Sequence, residues 1–256
     1  MAKTSSRVAL VTGAGRGIGR AIASELAKAE WEVVLIARTT SEINEVRKDL
    51  QQQGLKAHAY ACDVTSSLDV DLLEQRIAKD VGVVTLLVNN AGVAPSEKLE
   101  NTDDDLWHRT IATNLTGPFY LSRAFVPAMK KQGGGEIINI ASTAAMDGFA
   151  YTAAYTASKH GVLGLTRALA KELERSKIRV NAICPGFVRT SIVETSVQNI
   201  TAKTGKSAEE AEAELAKFNK EGRLLEPQEI AETVLLLLNS ATYSGKAFDS
   251  SGVLLD

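Results

Sequence analysis

The sequence predicts an α/β protein, a doubly wound parallel sheet covered by helices on both faces. Three observations lead there. Short β-branched runs alternate with longer amphipathic stretches from residue 7 to residue 183. The strand candidates are near-continuous apolar runs, which is the pattern of strands buried on both faces. A glycine cluster sits where the first strand turns into the first helix. No linker or low-complexity stretch interrupts this alternation, so residues 1–256 read as one domain, and 45% hydrophobic content buries a core easily at that length.

In chain order, RVALVT (7–12) is the first strand, and the helical pattern from Ile18 to Lys28 follows the glycines. EVVLIA (32–37) and Ser41 to Gln53 form the second strand–helix pair, and KAHAYA (56–61) and Ser67 to Asp80 the third. VTLLVN (84–89) leads to a long helical stretch from Asp103 to Lys131. EIINIA (136–141) leads to Tyr155 to Ser176, and IRVNAI (178–183) is the sixth strand. Between Pro185-Gly186 and Glu226-Pro227 the alternation stops. A polar stretch takes its place, with its own helix in SAEEAEAELAKFNK, where Ser207 and Glu210 have capping-box spacing. A segment after a strand's carboxyl end lies over the ligand crevice of such a sheet. Residues 191–220 are therefore expected to form a substrate lid rather than a peripheral packing helix, with EAEAEL as its solvated face.

Bulk properties exclude several classes. A net charge of −2 gives no reason to expect nucleic acid or an anionic membrane surface as partner. Cys62 and Cys184 lack metal-ligand spacing and sit at apolar strand ends, as reduced thiols of a reducing compartment do. His58, His108 and His160 fit no metal or triad spacing, so no metal is expected. The start MAKTSSR has no signal-peptide core behind it, and the apolar run Val234 to Leu238 is too short to span a bilayer. A cytoplasmic location is the expectation.

Two stretches carry chemistry. In VALVTGAGRGIGRAIA, Gly13, Gly15, Gly17 and Gly19 stand between strand and helix in the first strand–helix–strand unit. Glycines let the backbone approach a pyrophosphate, and the helix N-terminus supplies free N–H groups and a positive dipole end. The spacing is T-G-x-x-x-G-x-G, with Ile18 at the third glycine position of the commoner fingerprint. In YTAAYTASKH, Tyr151, Tyr155 and Lys159 share one helical face at spacings of four. Tyrosine, with a pKa of about 10, is a poor base at neutral pH, and a nearby ammonium lowers that value. Lys159 is one turn from Tyr155 and two from Tyr151, so only Tyr155 is adjacent to it.

These motifs together resemble the short-chain dehydrogenase/reductase family. TGAGRGIG (12–19), CDV (62–64), NNAG (89–92), Asn114, Ser142, YTASK (155–159) and PG (185–186) recur in its order over nearly the whole chain. The resemblance implies a Rossmann fold, a seven-stranded parallel sheet in the order 3-2-1-4-5-6-7, in homotetramers. It makes Tyr155 the acid/base, with Ser142 binding the carbonyl oxygen. Lys159 then bonds the nicotinamide ribose, and Asn114 holds a water that passes protons to the lysine. Cofactor contacts are implied at Gly13, Gly15, Arg16, Gly17, Ile18 and Gly19, at Asp63 and Val64, and at Asn89, Ala91 and Gly92. Pro185, Gly186, Val188 and Thr190 complete that set. Ala94, Ala144, Met146, Phe149 and Tyr151 are expected around the substrate. The tail FDSSGVLLD departs from the glycine pair usual in the family, which bears on oligomer geometry.

The cofactor is read from the end of the second strand. NAD-users place there an acidic residue that accepts from the adenosine ribose 2′-hydroxyl. Here the position is Ala37, followed by Arg38. Arg38 offers a planar fork to a 2′-phosphate, and Arg16 in the glycine loop can approach from the other side, so NADP(H) is expected. The expected activity is NADPH-dependent reduction of a ketone, best matched to a 3-oxoacyl thioester on acyl-carrier protein or coenzyme A. A free-ketone or secondary-metabolite carbonyl is the alternative, and a non-catalytic NADP-binding sensor a remote one.

Overall fold

In the computed structural model, which describes residues 7–240 and 242–255, seven strands form one parallel sheet in the order β3-β2-β1-β4-β5-β6-β7. They are β1 (Val8–Thr12), β2 (Glu32–Ala37), β3 (Ala57–Ala61), β4 (Leu86–Asn89), β5 (Gly135–Ile140), β6 (Ile178–Ile183) and β7 (Ala247–Phe248). Strand β1 shows why apolar runs are needed. Ala9 and Val11 pack on one face with Ile22, Leu26, Ile43 and Val234, while Val8 and Leu10 pack on the other with Val70, Ile77, Leu121 and Phe125. The first face carries α1 (Gly17–Lys28), α2 (Thr40–Gln52) and, near the C-terminus, Pro227–Asn239. The second carries α3 (Ser67–Asp80), a long broken helix after β4, and a helix after β5.

The stretch expected as one helix over 103–131 is a helix with an irregular middle. Asp103 caps α4 (Asp104–Ile111) by accepting from the Leu106 N–H at 2.7 Å. A π-helical turn, Ala112–Thr116, then leads into α5 (Gly117–Gln132). Such turns insert one residue into the helical ladder and recur at functional sites. This one holds Asn114. Helix α6 (Ala153–Leu173) follows β5 and carries both Tyr155 and Lys159.

The segment over 191–220 holds two helices, α7 (Ser191–Thr204) and α8 (Ala208–Ala216). The Ser207–Glu210 capping box is formed in both directions. Val193, Leu215, Ala216 and Leu224 make a small core of their own, apart from the two faces of the sheet. The sequence reading placed neither α7 nor the last helix, α9 (Pro227–Asn239). Strand β7 closes the sheet with two residues, bonded at Ala182 and Ile183 of β6. Cys62 and Cys184 are both buried, and neither is in a disulfide. No helix among the described residues is long and apolar enough to cross a membrane.

Candidate active site

Parallel pairing puts the carboxyl ends of all strands on one edge, and the strand order reverses between β1 and β4. That reversal opens a crevice, and the glycine loop forms its floor. Thr12 at the end of β1 accepts from the backbone N–H groups of Asn90 and Ala91, both at 2.9 Å, which hangs the NNAG loop on the glycine loop. Gly13 has φ +63, a conformation that favours glycine. A Cβ on Gly19 would lie 2.3 Å from the Gly13 carbonyl, so helix α1 can approach the loop this closely only through glycine. Gly13, Gly15, Arg16, Gly17 and Ile18 all line the resulting cleft.

One part of the cleft is polar and carries charges of both signs. Ala37 and Arg38 from the end of β2 line it, beside Asp63 and Val64 from the loop after β3. Burial works to raise the Asp63 pKa. It is outweighed by bonds from the Thr65 N–H (2.9 Å) and hydroxyl (2.8 Å) and by the Arg38 charge, so the carboxyl ionises below its ordinary range. Glu42, in the first turn of α2, also faces this end and stands 3.9 Å from Arg16.

At the other end stand the groups with titratable protons. Tyr155 and Lys159 line the cleft here with Gly92 beside the lysine, while Ala91 and Thr190 line it next to Gly13 and Gly17. Burial pushes the Tyr155 hydroxyl above the ordinary tyrosine value, and a side-chain hydrogen bond with Ser142 opposes the rise. The sequence led us to expect that Lys159 would lower this pKa. In the structure the lysine is itself desolvated, and its ammonium falls to about 8. Its Nζ donates to the Ile140 carbonyl at 2.8 Å and stands 5.7 Å from the centre of the Tyr155 ring. The lowering influence on Tyr155 is thus Ser142. Ser142 is placed by β5, and its Oγ also accepts from the Ala144 N–H at 3.1 Å.

Asn114 is buried under these groups as a clasp. Its Oδ1 accepts from the Val93 N–H at 2.9 Å, while Nδ2 donates to the Val93 carbonyl at 2.8 Å and to Ser158 Oγ at 3.0 Å. Both amide hydrogens are therefore in use. The amide group holds the loop after β4 against α6.

The other expected residues are placed as follows. Asn89 is turned inward, donating to Asn139 at 2.8 Å, and it is Asn90 that lines the cleft. Gly19, Pro185 and Val188 are buried, and these three with Gly186 lie outside the lining. They shape the cleft from behind: the Pro185 carbonyl accepts from the Thr143 N–H at 2.9 Å, beside Ser142. Ala144 is 2% exposed and offers no surface to a substrate. Met146 and Tyr151 are exposed, Ala94 is half-buried, and Phe149 packs on Phe187 and Phe218. Tyr151 has φ +66, a strained backbone for a side chain of its size. Thr39, Glu42, Thr113 and Ile192 line the cleft without having been singled out from the sequence. None belongs to a motif, and only the end of β2 hinted at the first two. Among the described residues no cluster is suited to hold a metal ion.

A half-buried tyrosine and a buried lysine opening onto a glycine-floored crevice at the strand switch point define the class: an oxidoreductase working with a dinucleotide. Comparison with known proteins narrows this. The short chain dehydrogenase model matches residues 7–201, and the chain belongs to that family. It is 38% identical over 258 residues to a putative ketoacyl reductase of Streptomyces coelicolor, covering 99% of each chain. Among solved structures, an actinorhodin polyketide ketoreductase variant with NADPH superposes at a TM-score of 0.92, with 38% identity over 97% of each chain. L-Sorbose reductase of Gluconobacter frateurii, complexed with NADPH and L-sorbose, superposes at 0.90 with 30% identity, covering 98% of this chain and 97% of that one.

Proposed function

We propose that the protein is an NADPH-dependent carbonyl reductase that acts on a 3-oxoacyl thioester, with Tyr155 as the proton donor. The observation that carries this is the placement of Tyr155, bonded to Ser142, in the same cleft as the glycine loop and Arg38. The cleft fits a phosphorylated dinucleotide. The start of α1 has no side-chain cap, which leaves its N–H groups for a pyrophosphate, and the strand-end position that an NAD-user fills with a carboxylate is Ala37. The neighbours crystallised with NADPH support the same cofactor. When bound, it supplies the hydride.

The chain's own residues do the rest. Ser142 and Tyr155 donate hydrogen bonds to the substrate carbonyl oxygen, strongest as negative charge develops there. Burial that raises the Tyr155 pKa keeps its proton in place until the carbonyl oxygen demands it. Lys159, at about 8, can exchange a proton near neutral pH and replenish the tyrosine. Thioesters are favoured by the likeness to ketoacyl reductases. The likeness to L-sorbose reductase supports the second reading, a free ketone. The test follows NADPH oxidation over 3-oxoacyl thioesters of coenzyme A and acyl-carrier protein, free ketones and keto-sugars. Turnover of thioesters at the highest kcat/KM is the expected result, and turnover of free ketones alone would transfer the assignment to the second reading.

A further inference from the structure

The loop after β6 carries a second clasp built like that of Asn114. Asn219, just beyond α8, is 7% exposed. Its Oδ1 accepts from the Phe187 N–H at 2.8 Å, and its Nδ2 donates to the Phe187 carbonyl at 2.8 Å and to the Arg223 carbonyl at 2.7 Å. Each asparagine thus grips one residue by both backbone groups. Each also presses on the preceding glycine: a Cβ on Gly92 would lie 3.3 Å from Asn114 Oδ1, and one on Gly186 only 2.1 Å from Asn219 Oδ1. The glycine of the PG pair is therefore required by Asn219.

What the grip holds in place is a cluster of three aromatic rings outside the lining of the cofactor cleft. The Phe187 ring meets Phe218 at 5.7 Å between centroids and Phe149 at 6.5 Å, and Phe149 and Phe218 meet at 5.8 Å. Phe149 lies in the segment between Ser142 and Tyr155. Phe187 follows Pro185, whose carbonyl is bonded beside Ser142. Phe218 comes from the end of the α7–α8 segment and is 62% exposed. The same strip pairs with the far end of that segment: the Leu225 N–H donates to the Phe187 carbonyl at 3.0 Å and the Arg189 N–H to the Leu225 carbonyl at 2.8 Å. Both ends of the segment are thereby fastened around Phe187.

We infer that Asn219 is a specificity-determining positioning residue. Through the Phe187 backbone it sets the three-phenylalanine cluster, and that cluster selects carbonyl substrates carrying a bulky apolar or ring group over small ones. This rests on the reading of the cleft as a carbonyl-reducing site. Removing the amide leaves the Phe187 N–H without its acceptor, the Arg223 carbonyl without this donor and the Phe187 carbonyl with the Leu225 N–H alone, so the strip shifts. KM for a bulky substrate should rise about tenfold in Asn219→Ala, with kcat and the small substrate changed far less. Asn219→Asp keeps the acceptor but turns a carboxylate toward two carbonyls, so it does not restore the wild-type KM.

The experiment is a mutant cycle with Gly186→Ala. Alone, Gly186→Ala should raise KM for the bulky substrate as Asn219→Ala does, because the new methyl drives out Oδ1. Combined, the two should cost no more than Asn219→Ala, since the truncated side chain leaves room. The substrates are 3-oxobutanoyl- and 3-oxododecanoyl-coenzyme A, or a small and a bulky ketone if the panel shows no thioester turnover. Hydrogen exchange, which needs no activity, should quicken at Phe187 to Arg189 and at Leu224 to Glu226 in both single variants and leave β1 and β4 unchanged. Additive losses in the cycle, equal losses for both substrates, or exchange quickened across the whole sheet would each overturn the inference. If the wild type reduces no carbonyl, the functional reading fails, and the exchange pattern alone still decides whether the clasp exists.

Discussion

Arg38→Ala tests the cofactor assignment most directly, and the structure sets the size of the effect. A hydrogen bond to a charged group contributes about 1.5–3 kcal/mol, which spans roughly 10- to 150-fold in affinity. Arg38 and Arg16 are both exposed, Arg16 at 70%, so solvent and salt screen their interaction with a 2′-phosphate. The lower end applies: kcat/KM for NADPH should fall about tenfold, while that for NADH scarcely moves. Glu42 modifies this. Standing 3.9 Å from Arg16, it draws that arginine and adds a negative charge where the phosphate must sit. An exposed pair of this kind contributes at most about 1 kcal/mol, so Glu42→Gln should improve NADPH use by up to about fivefold. Ala37→Asp should reverse the preference by repelling the phosphate and accepting from a free ribose hydroxyl. The assay is kcat/KM with each cofactor for wild type and the three variants, at two salt concentrations. A wild-type preference for NADH, or equal losses with both cofactors in Arg38→Ala, would refute the reasoning. A loss of NADPH activity in Glu42→Gln would show that the carboxylate binds the nucleotide instead of opposing it.

Three further outcomes are expected. Tyr155→Phe should cut kcat by about 10²–10⁴-fold with NADPH still bound, whereas Tyr151→Phe should cost much less; measured kcat and cofactor titration decide, and equal losses would contradict the assignment. Lys159 in its desolvated site holds its proton only up to about pH 8, so kcat/KM for reduction should decline above that pH, and a profile flat to pH 10 would exclude the lysine as the proton source. Glu136 at the start of β5 is raised to about 7, by burial against the opposing pull of Arg179. A carboxyl whose folded pKa is raised binds its proton more tightly when folded. Its contribution is full below the unfolded value near 4.5 and is lost as pH rises through about 7. The Tm of Glu136→Gln relative to wild type should therefore climb between pH 5 and pH 7.5, and a constant or falling difference would argue against a strained carboxylate there.

How much of this was legible in the sequence depended on whether a residue's role was local. Six strands could be read because each is an apolar run, and parallel sheets bury both faces of a strand. β7 escaped because two residues, Ala247 and Phe248, cannot show a period. α9 had usable signals that went unread: Pro227 at its first position, and Glu226 and Glu229 in a reciprocal cap. α7 had almost none, since Val193 is its one buried residue. The turn at Ala112–Thr116 was invisible for another reason. An inserted residue changes the phase of the helix, while the apolar pattern on either side still reads as helix.

The site divides in the same way. Tyr155 and Lys159 stand in one contiguous motif and the glycines in another, so spacing could be read within each, while the family resemblance brought the two together. Asn89 and Asn90 show the limit. They are neighbours in one motif, yet strand alternation sends Asn89 to Asn139 in the interior and Asn90 to the cleft. The pKa of Tyr155 could not be read at all, because its sign is set by burial and by Ser142, not by the lysine one turn away. Glycines with ordinary φ were the least legible. Gly186 is required not by its own backbone but by an asparagine 33 residues further on, Asn219, whose amide occupies the space a Cβ would need, and Asn114, 22 residues beyond Gly92, crowds that glycine more loosely. Those two contacts join a loop after a strand to a distant helical segment. A chain of this kind keeps its sheet rigid through apolar runs and shapes its substrate side through a few such long-range polar grips, which is where relatives with one fold can differ in what they reduce.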